Sequence, residues 1–202
     1  MENLRFLHLS WDDVQTLTEA IAEKIEASEF KPDIIVAVSR GGFDPARILC
    51  DQLSVRRLAS VQLEAYDGMV KRAEPIVILP VNADIRGKKI LVVDDVSDSG
   101  ASLIKAKEHI EEKAASEVRI ATLHIKPWSK YIPDYYARIV DVWVVYPWEL
   151  KECLQEVAYK MRADGVDCKT ISVKLVEAGF KKSDVDRYLP LKDELLFTRT
   201  NY

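Results

Sequence analysis

Two short runs made almost wholly of apolar residues constrain this chain most: Ile34-Ile35-Val36-Ala37-Val38 and Ile90-Leu91-Val92-Val93. Each stops at a polar turn bearing glycine, Ser39-Arg40-Gly41-Gly42 after the first and Asp94-Asp95-Val96-Ser97-Asp98-Ser99-Gly100 after the second. Each turn is followed by helical spacing, with Ile48, Leu49 and Leu53 on one face downstream of Pro45, and a helix over about 101–113. A strand without polar alternation is buried on both faces, and strands that alternate with helices form a mostly parallel sheet covered on both sides. In such sheets ligands bind beyond the carboxyl ends of the strands. Both polar turns stand at those ends.

The rest of the chain fits around this frame. Ser10 and Asp13 open a helix carrying Val14, Leu17, Ile21 and Ile25. Strands are expected over 55–64, 76–79, 118–124 and 139–145, and residues 65–75, with Gly68 and Pro75, read as a loop. After Pro147 the character changes to helices over about 149–162 and 170–178, stopped by Gly179, with a third capped by Ser183 and ending near Leu189-Pro190. The organisation expected is a domain over residues 1–150 and a helical C-terminal extension over 151–202. That extension is too small to bury much alone, so a packing or oligomerisation role is expected for it.

The chain has 202 residues and a net charge of -4, so no global basic field draws it to nucleic acid. Residues 165–202 hold seven Lys or Arg against six Asp or Glu, too balanced for a phosphate-binding face. Cys50, Cys153 and Cys168 are scattered, without metal or disulfide spacing, which suits a reducing cytoplasm. No stretch is long and apolar enough to span a membrane, and the N-terminus lacks a signal-peptide layout. His8, His109 and His124 stand in no catalytic pattern and read as structural.

The segment from Ile90 to Ser102 is a buried strand, two adjacent carboxylates, a hydroxyl-rich turn and a helix start. The helix N-terminus offers unpaired N–H groups and a positive dipole end, suited to a phosphate. Asp94 and Asp95 would repel a phosphate and suit neutral hydroxyls or a divalent cation. The segment closely resembles the motif with which type I phosphoribosyltransferases bind phosphoribosyl pyrophosphate (PRPP), with Ser99 and Ser102 where Thr is more usual. The resemblance covers about residues 10–150. It implies the α/β type I phosphoribosyltransferase fold with a hood, and transfer of a phosphoribosyl group to a base. It also implies that Asp94 and Asp95 engage the ribose hydroxyls, directly or with Mg2+. Ser97, Asp98, Ser99, Gly100, Ala101 and Ser102 then hold the 5′-phosphate, and Asp98 is the candidate proton-transfer group beside N7 of the base.

By the same resemblance Ser39, Arg40 and Gly41 form the pyrophosphate loop, which in the family often has a strained or cis peptide. Tyr66, Lys71 and Arg72 belong to a flexible loop that closes over the site. Many 6-oxopurine enzymes have Ser-Tyr there, whereas this chain has Ala65-Tyr66, one hydroxyl fewer. Lys126-Pro127-Trp128 and the segment from Asp141 to Trp148 resemble the hood of bacterial xanthine–guanine phosphoribosyltransferases. In that reading Trp143 stacks on the purine, Lys126 donates to an oxygen at purine C6, and the backbone of Val144 meets the base edge. The expected activity is purine phosphoribosyl transfer, with hypoxanthine, guanine and xanthine unranked and adenine as the alternative. The expected assembly is a homodimer or larger homo-oligomer. A non-catalytic regulator that senses PRPP or a nucleotide is the alternative from another class.

Overall fold

The structure, a computed structural model, describes residues 5–67 and 70–189, and of residues 65–73 the backbone alone. They form two compact units. One is Asp12–Asp141; the other combines the described parts of Met1–Trp11 and Val142–Tyr202. The division therefore falls near residue 142, and the first residues of the chain join its last, where a boundary at 150 was expected.

The larger unit opens with helix α1 (Trp11–Ala27), whose Val14, Leu17, Thr18, Ile21, Ala22 and Ile25 are buried at helical spacing. Then follow β2 (Ile34–Ser39), α2 (Phe43–Gln52), β3 (Leu58–Asp67), β4 (Val70–Leu79), β5 (Lys89–Ser97), α3 (Ala101–Glu111), β6 (Glu117–Ile125) and β7 (Tyr135–Ile139). The sheet order is β4-β3-β2-β5-β6-β7. All pairings are parallel except β3 with β4. Strands β2 and β5 lie side by side, with Ile34 opposite Ile90 and Ala37 opposite Val93. The chain leaves β2 toward β3 on one side and β5 toward β6 on the other, so the order reverses between β2 and β5. That reversal is where α/β sheets bind ligands. Ile34, Val36, Val38, Ile90 and Val92 pack with Leu103, Ala106 and Ile110 of α3 in one core.

Three expectations are corrected. Within 65–75, where a loop was expected, the described residues are strand: β3 runs to Asp67 and β4 from Val70, and the two pair antiparallel. Antiparallel pairing supplies backbone partners that period-2 reading of a polar stretch does not reveal. The strand expected over 139–145 is two strands, β7 and β8 (Trp143–Val145), in different sheets. Ser183 is not a cap, since α6 (Lys182–Tyr188) starts before it and Lys181 holds the cap position without a side-chain bond.

In the smaller unit, β1 (Phe6–His8) pairs in parallel with β8, Phe6 opposite Trp143 and His8 opposite Val145. The helices α4 (Leu150–Ala163), α5 (Cys168–Glu177) and α6 share a core of Leu154, Val157, Ala158, Met161, Ile171, Leu175, Phe180, Val185 and Leu189. Asp167 caps α5, its Oδ1 accepting from Lys169 N and Thr170 N. Gly179, at φ 99°, ends the α5 segment in a left-handed conformation. His8 Nε2 donates to the Ala178 carbonyl at 3.1 Å, and its ring meets Phe180 edge-on at 4.6 Å. Among the described residues, no helix is long and apolar enough to cross a membrane.

His124 on β6 is 0% exposed, and burial, then the charges of Lys126 and Arg138, pull its pKa down to about 4. It stays neutral when folded, while the unfolded chain takes up a proton below about 6.5. The unfolded state binds more protons between these values, so stability falls as pH drops through that window. Unfolding free energy measured by denaturant titration is expected to lose on the order of 3 kcal/mol between pH 7 and 4 through this group. His124→Gln should remove that component of the pH dependence; an unchanged profile would refute the assignment.

Candidate active site

The turn after β2 and the end of β5 meet at the carboxyl edge of the sheet. The Ser39–Arg40 peptide is cis, the form often found in the pyrophosphate loop of the family it resembles. Gly42 N returns to the Val38 carbonyl at 2.9 Å, Phe43 N to that of Arg40 at 3.1 Å. A Cβ on Gly41 would lie 2.1 Å from Asp95 Oδ2, and one on Gly42 2.1 Å from the Val93 carbonyl oxygen. No side chain fits at either position, so glycine is what lets this turn lie against the β5 carboxylate. Ser39 is half-buried and Arg40 exposed.

Asp94 and Asp95 are still within the β5 strand, Asp94 opposite Thr122 of β6. Asp95 is buried, and its backbone N–H donates to Asp94 Oδ1 at 3.0 Å. Asp94 keeps some exposed surface. Its carboxyl is nevertheless pushed well above the usual carboxylate range, first by burial and then by the charge of Asp95, with the Asp95 N–H working the other way. Two carboxylates this close favour a shared proton or a cation between them.

Beyond β5 the loop turns into α3 through Gly100, at φ 81°. A Cβ there would meet Tyr131 N at 2.6 Å. Ala101 N donates to Ser99 Oγ at 3.4 Å. The cap residue Gly100 has no side chain to offer, so beyond Ala101 the first amides of α3 are available as anion donors. Ser97 differs from the other hydroxyls. It is buried, 2.8 Å from Ser129 Oγ and 3.0 Å from the Tyr131 carbonyl. Its hydroxyl is thus engaged within the fold, with the 126–131 segment.

Residues 126–131 run beside this loop. Lys126 N donates to the Ser97 carbonyl at 3.0 Å and Lys130 N to that of Ser99 at 3.2 Å. Lys126 is buried. Burial pulls its pKa down, opposed by the charges of Asp98 and Asp141. Asp98 is exposed, and its Oδ1 accepts from Trp128 Nε1 at 3.0 Å. The sequence places Trp128 in the Lys126-Pro127-Trp128 motif and gives it no role; a bond between residues 98 and 128 has no signature in spacing.

Trp143 and Val144 belong to the smaller unit, where Val144 is buried and Lys160 Nζ lies 4.8 Å from the Trp143 ring centroid. The side chains of Tyr66, Lys71 and Arg72 lie outside the described residues.

Residues 10–152 match the model of the phosphoribosyl transferase domain. The chain belongs to this family. It is 30% identical over 149 residues to xanthine-guanine phosphoribosyltransferase of Idiomarina loihiensis, covering 72% of this chain and 88% of that one. Among solved structures, a purine phosphoribosyltransferase from Pyrococcus horikoshii superposes with a TM-score of 0.64 at 35% identity, covering 71% of this chain and 93% of that one. A hypothetical protein from Neisseria gonorrhoeae with bound ppGpp gives a TM-score of 0.65 at 29% identity, over 74% and 92%. The type I phosphoribosyltransferase fold, a mostly parallel sheet flanked by helices, is therefore that of this chain, and the chain is a pentosyltransferase. The match ends near the start of α4, so α5 and α6 lie beyond it.

If the contact of the two turns is what the transferase needs, Gly41→Ala must displace Asp95. A misplacement of about 1 Å costs about 10²-fold in rate, so kcat/KM for phosphoribosyl transfer should fall by that order while far-UV circular dichroism stays unchanged. Wild-type kcat/KM in this variant would show that the close approach is dispensable.

Proposed function

We propose that this phosphoribosyltransferase moves the 5-phosphoribosyl group of PRPP to a purine, a 6-oxopurine first, giving the nucleoside monophosphate and pyrophosphate. The observation that carries this reading is the meeting of the Gly41 turn with Asp95 at the point where the sheet order reverses. It sets a loop suited to pyrophosphate beside carboxylates suited to ribose hydroxyls, with the α3 N-terminus for the 5′-phosphate. The chain's likeness to enzymes named for xanthine, guanine and purine supports the choice of base. So does the ppGpp bound by the Neisseria protein, since that ligand joins a guanine to two diphosphates.

In the reaction the bond from C1 of the ribose to the pyrophosphate oxygen breaks and a bond from C1 to purine N9 forms. Positive charge builds on the sugar as the leaving group departs. Arg40 and the amides of the glycine turn take up charge on the pyrophosphate. Asp94 and Asp95 fix the ribose through its hydroxyls. As N9 attacks, the proton on N7 passes to Asp98. Lys126, buried next to this loop, donates to the oxygen at C6. For Trp143 and Val144 the reading rests on the resemblance alone.

The donor set at Asp94 and Asp95 fits Mg2+. It offers two hard carboxylates, one of them strained by its neighbour's charge. Among the described residues no group of three or more His, Cys, Asp or Glu could form an all-protein cage, which suits an ion that takes one or two carboxylates and completes its shell with substrate oxygens and water. When bound, Mg2+ would neutralise charge on the pyrophosphate. A reducing cytoplasmic setting and self-association belong to the same reading; no disulfide joins the three cysteines.

With purified protein, PRPP-dependent nucleotide formation is expected with hypoxanthine, guanine or xanthine and much less with adenine or uracil. Turnover with adenine alone would overturn the 6-oxopurine choice, and none with any base would favour a ligand-sensing regulator. Asp98→Asn should lower kcat by about 10²–10⁴-fold with PRPP binding little changed; near wild-type kcat would refute its role. Excess chelator should abolish turnover and added Mg2+ restore it, whereas full activity in chelator would exclude the metal.

A further inference from the structure

We infer that Trp128 is a positioning residue for the reaction: its indole N–H holds the Asp98 carboxylate in the orientation that receives the purine proton. The inference rests on the proposed role of Asp98. On either side of Asp98 the backbone is pinned, Lys126 N bonding the Ser97 carbonyl at 3.0 Å and Lys130 N that of Ser99 at 3.2 Å. The Asp98 side chain itself is exposed, so the pinned backbone leaves its rotamer open. Trp128 Nε1 closes that freedom by donating to Asp98 Oδ1 at 3.0 Å. Oδ2 is then the oxygen left for the base.

Trp128 is suited to this task and is held for it. An indole N–H donates and cannot accept, so its partner is an acceptor. A neutral donor orients the carboxylate without pairing its charge, whereas a lysine at the same place would form an ion pair. The residue sits on a turn closed by Ser129 N bonding the Lys126 carbonyl at 3.0 Å. Pro127 precedes it, with φ restricted by its ring. Lys126 Nζ lies 5.6 Å from the ring centroid, a second contact on the same indole. Yet the side chain is 57% exposed. Burial does not explain a tryptophan here, and the bond to Asp98 does.

Trp128→Phe keeps the ring and removes the N–H. Its kcat should fall about tenfold or more, the scale of a hydrogen bond to a charged group, with KM for PRPP within about twofold of wild type. Trp128→His keeps a ring N–H and should recover part of the loss. Asp98→Asn is measured first: wild-type kcat there overturns the role of Asp98, and this inference with it. With Asp98→Asn impaired, Trp128→Phe should change kcat by less than about twofold in that background, because the two residues act as one unit. Wild-type kcat in Trp128→Phe, or an equal loss in both backgrounds, would overturn the positioning role while leaving that of Asp98 standing.

Discussion

The parallel pairing of β2 with β5 is the contact on which the rest depends. Its register, Ile34 to Ile90 through Ala37 to Val93, is set by residues buried on both faces. Because the two strands run the same way, both release the chain at one edge, and because their next neighbours lie on opposite sides, that edge is left open. A slip of one residue would turn every side chain of one strand to the opposite face. Asp95 would then leave the turn that Gly41 and Gly42 fold against it. Core packing and the site are thus one constraint seen from two directions.

The electrostatics follow from an acidic chain that has to receive an anion. In the proposed reading that charge is handled locally, by amides at the α3 N-terminus, one exposed arginine at the turn and a buried lysine on the neighbouring segment. The two carboxylates stand together at the end of β5, and burial first, then the charge of Asp95, presses Asp94 toward its neutral form. Ser97, a hydroxyl that composition counts as a phosphate donor, is instead part of the scaffold that stitches residues 126–131 to the loop.

Much of this was legible before any coordinates. Unbroken apolar runs ending in glycine-bearing turns announce parallel strands and their carboxyl ends, and Val14, Leu17, Ile21 and Ile25 announce α1, because burial and periodicity act on neighbours in sequence. What escaped depends on partners far apart. The polar stretch around residues 65–75 is strand only because β3 and β4 pair. The apolar run from 139 to 145 belongs to two sheets because Val140 N bonds back to Ile125 while Trp143 N bonds to Arg5. A three-residue strand such as β1 carries no period at all. The bond from Trp128 to Asp98 is invisible for the same reason: it exists only once β5 and β6 have brought their following loops together.

The pairing of β1 with β8 bears on how the chain is made. Phe6 leaves the ribosome before Asp12–Asp141 is made, and its partner Trp143 is added only after the whole of that span. At about 5–20 residues per second that interval is on the order of ten seconds. The larger unit gains its last strand, β7, at the close of that interval, and until β8 follows, Phe6 and Leu7 have no ladder to join. The smaller unit, assembled from segments on either side of Asp12–Asp141, can close only after that span has been made. Its completion therefore reports that synthesis has passed through the whole of Asp12–Asp141, and an early stop would leave β1 without its partner strand, with Phe6 and Leu7 open to capture by chaperones.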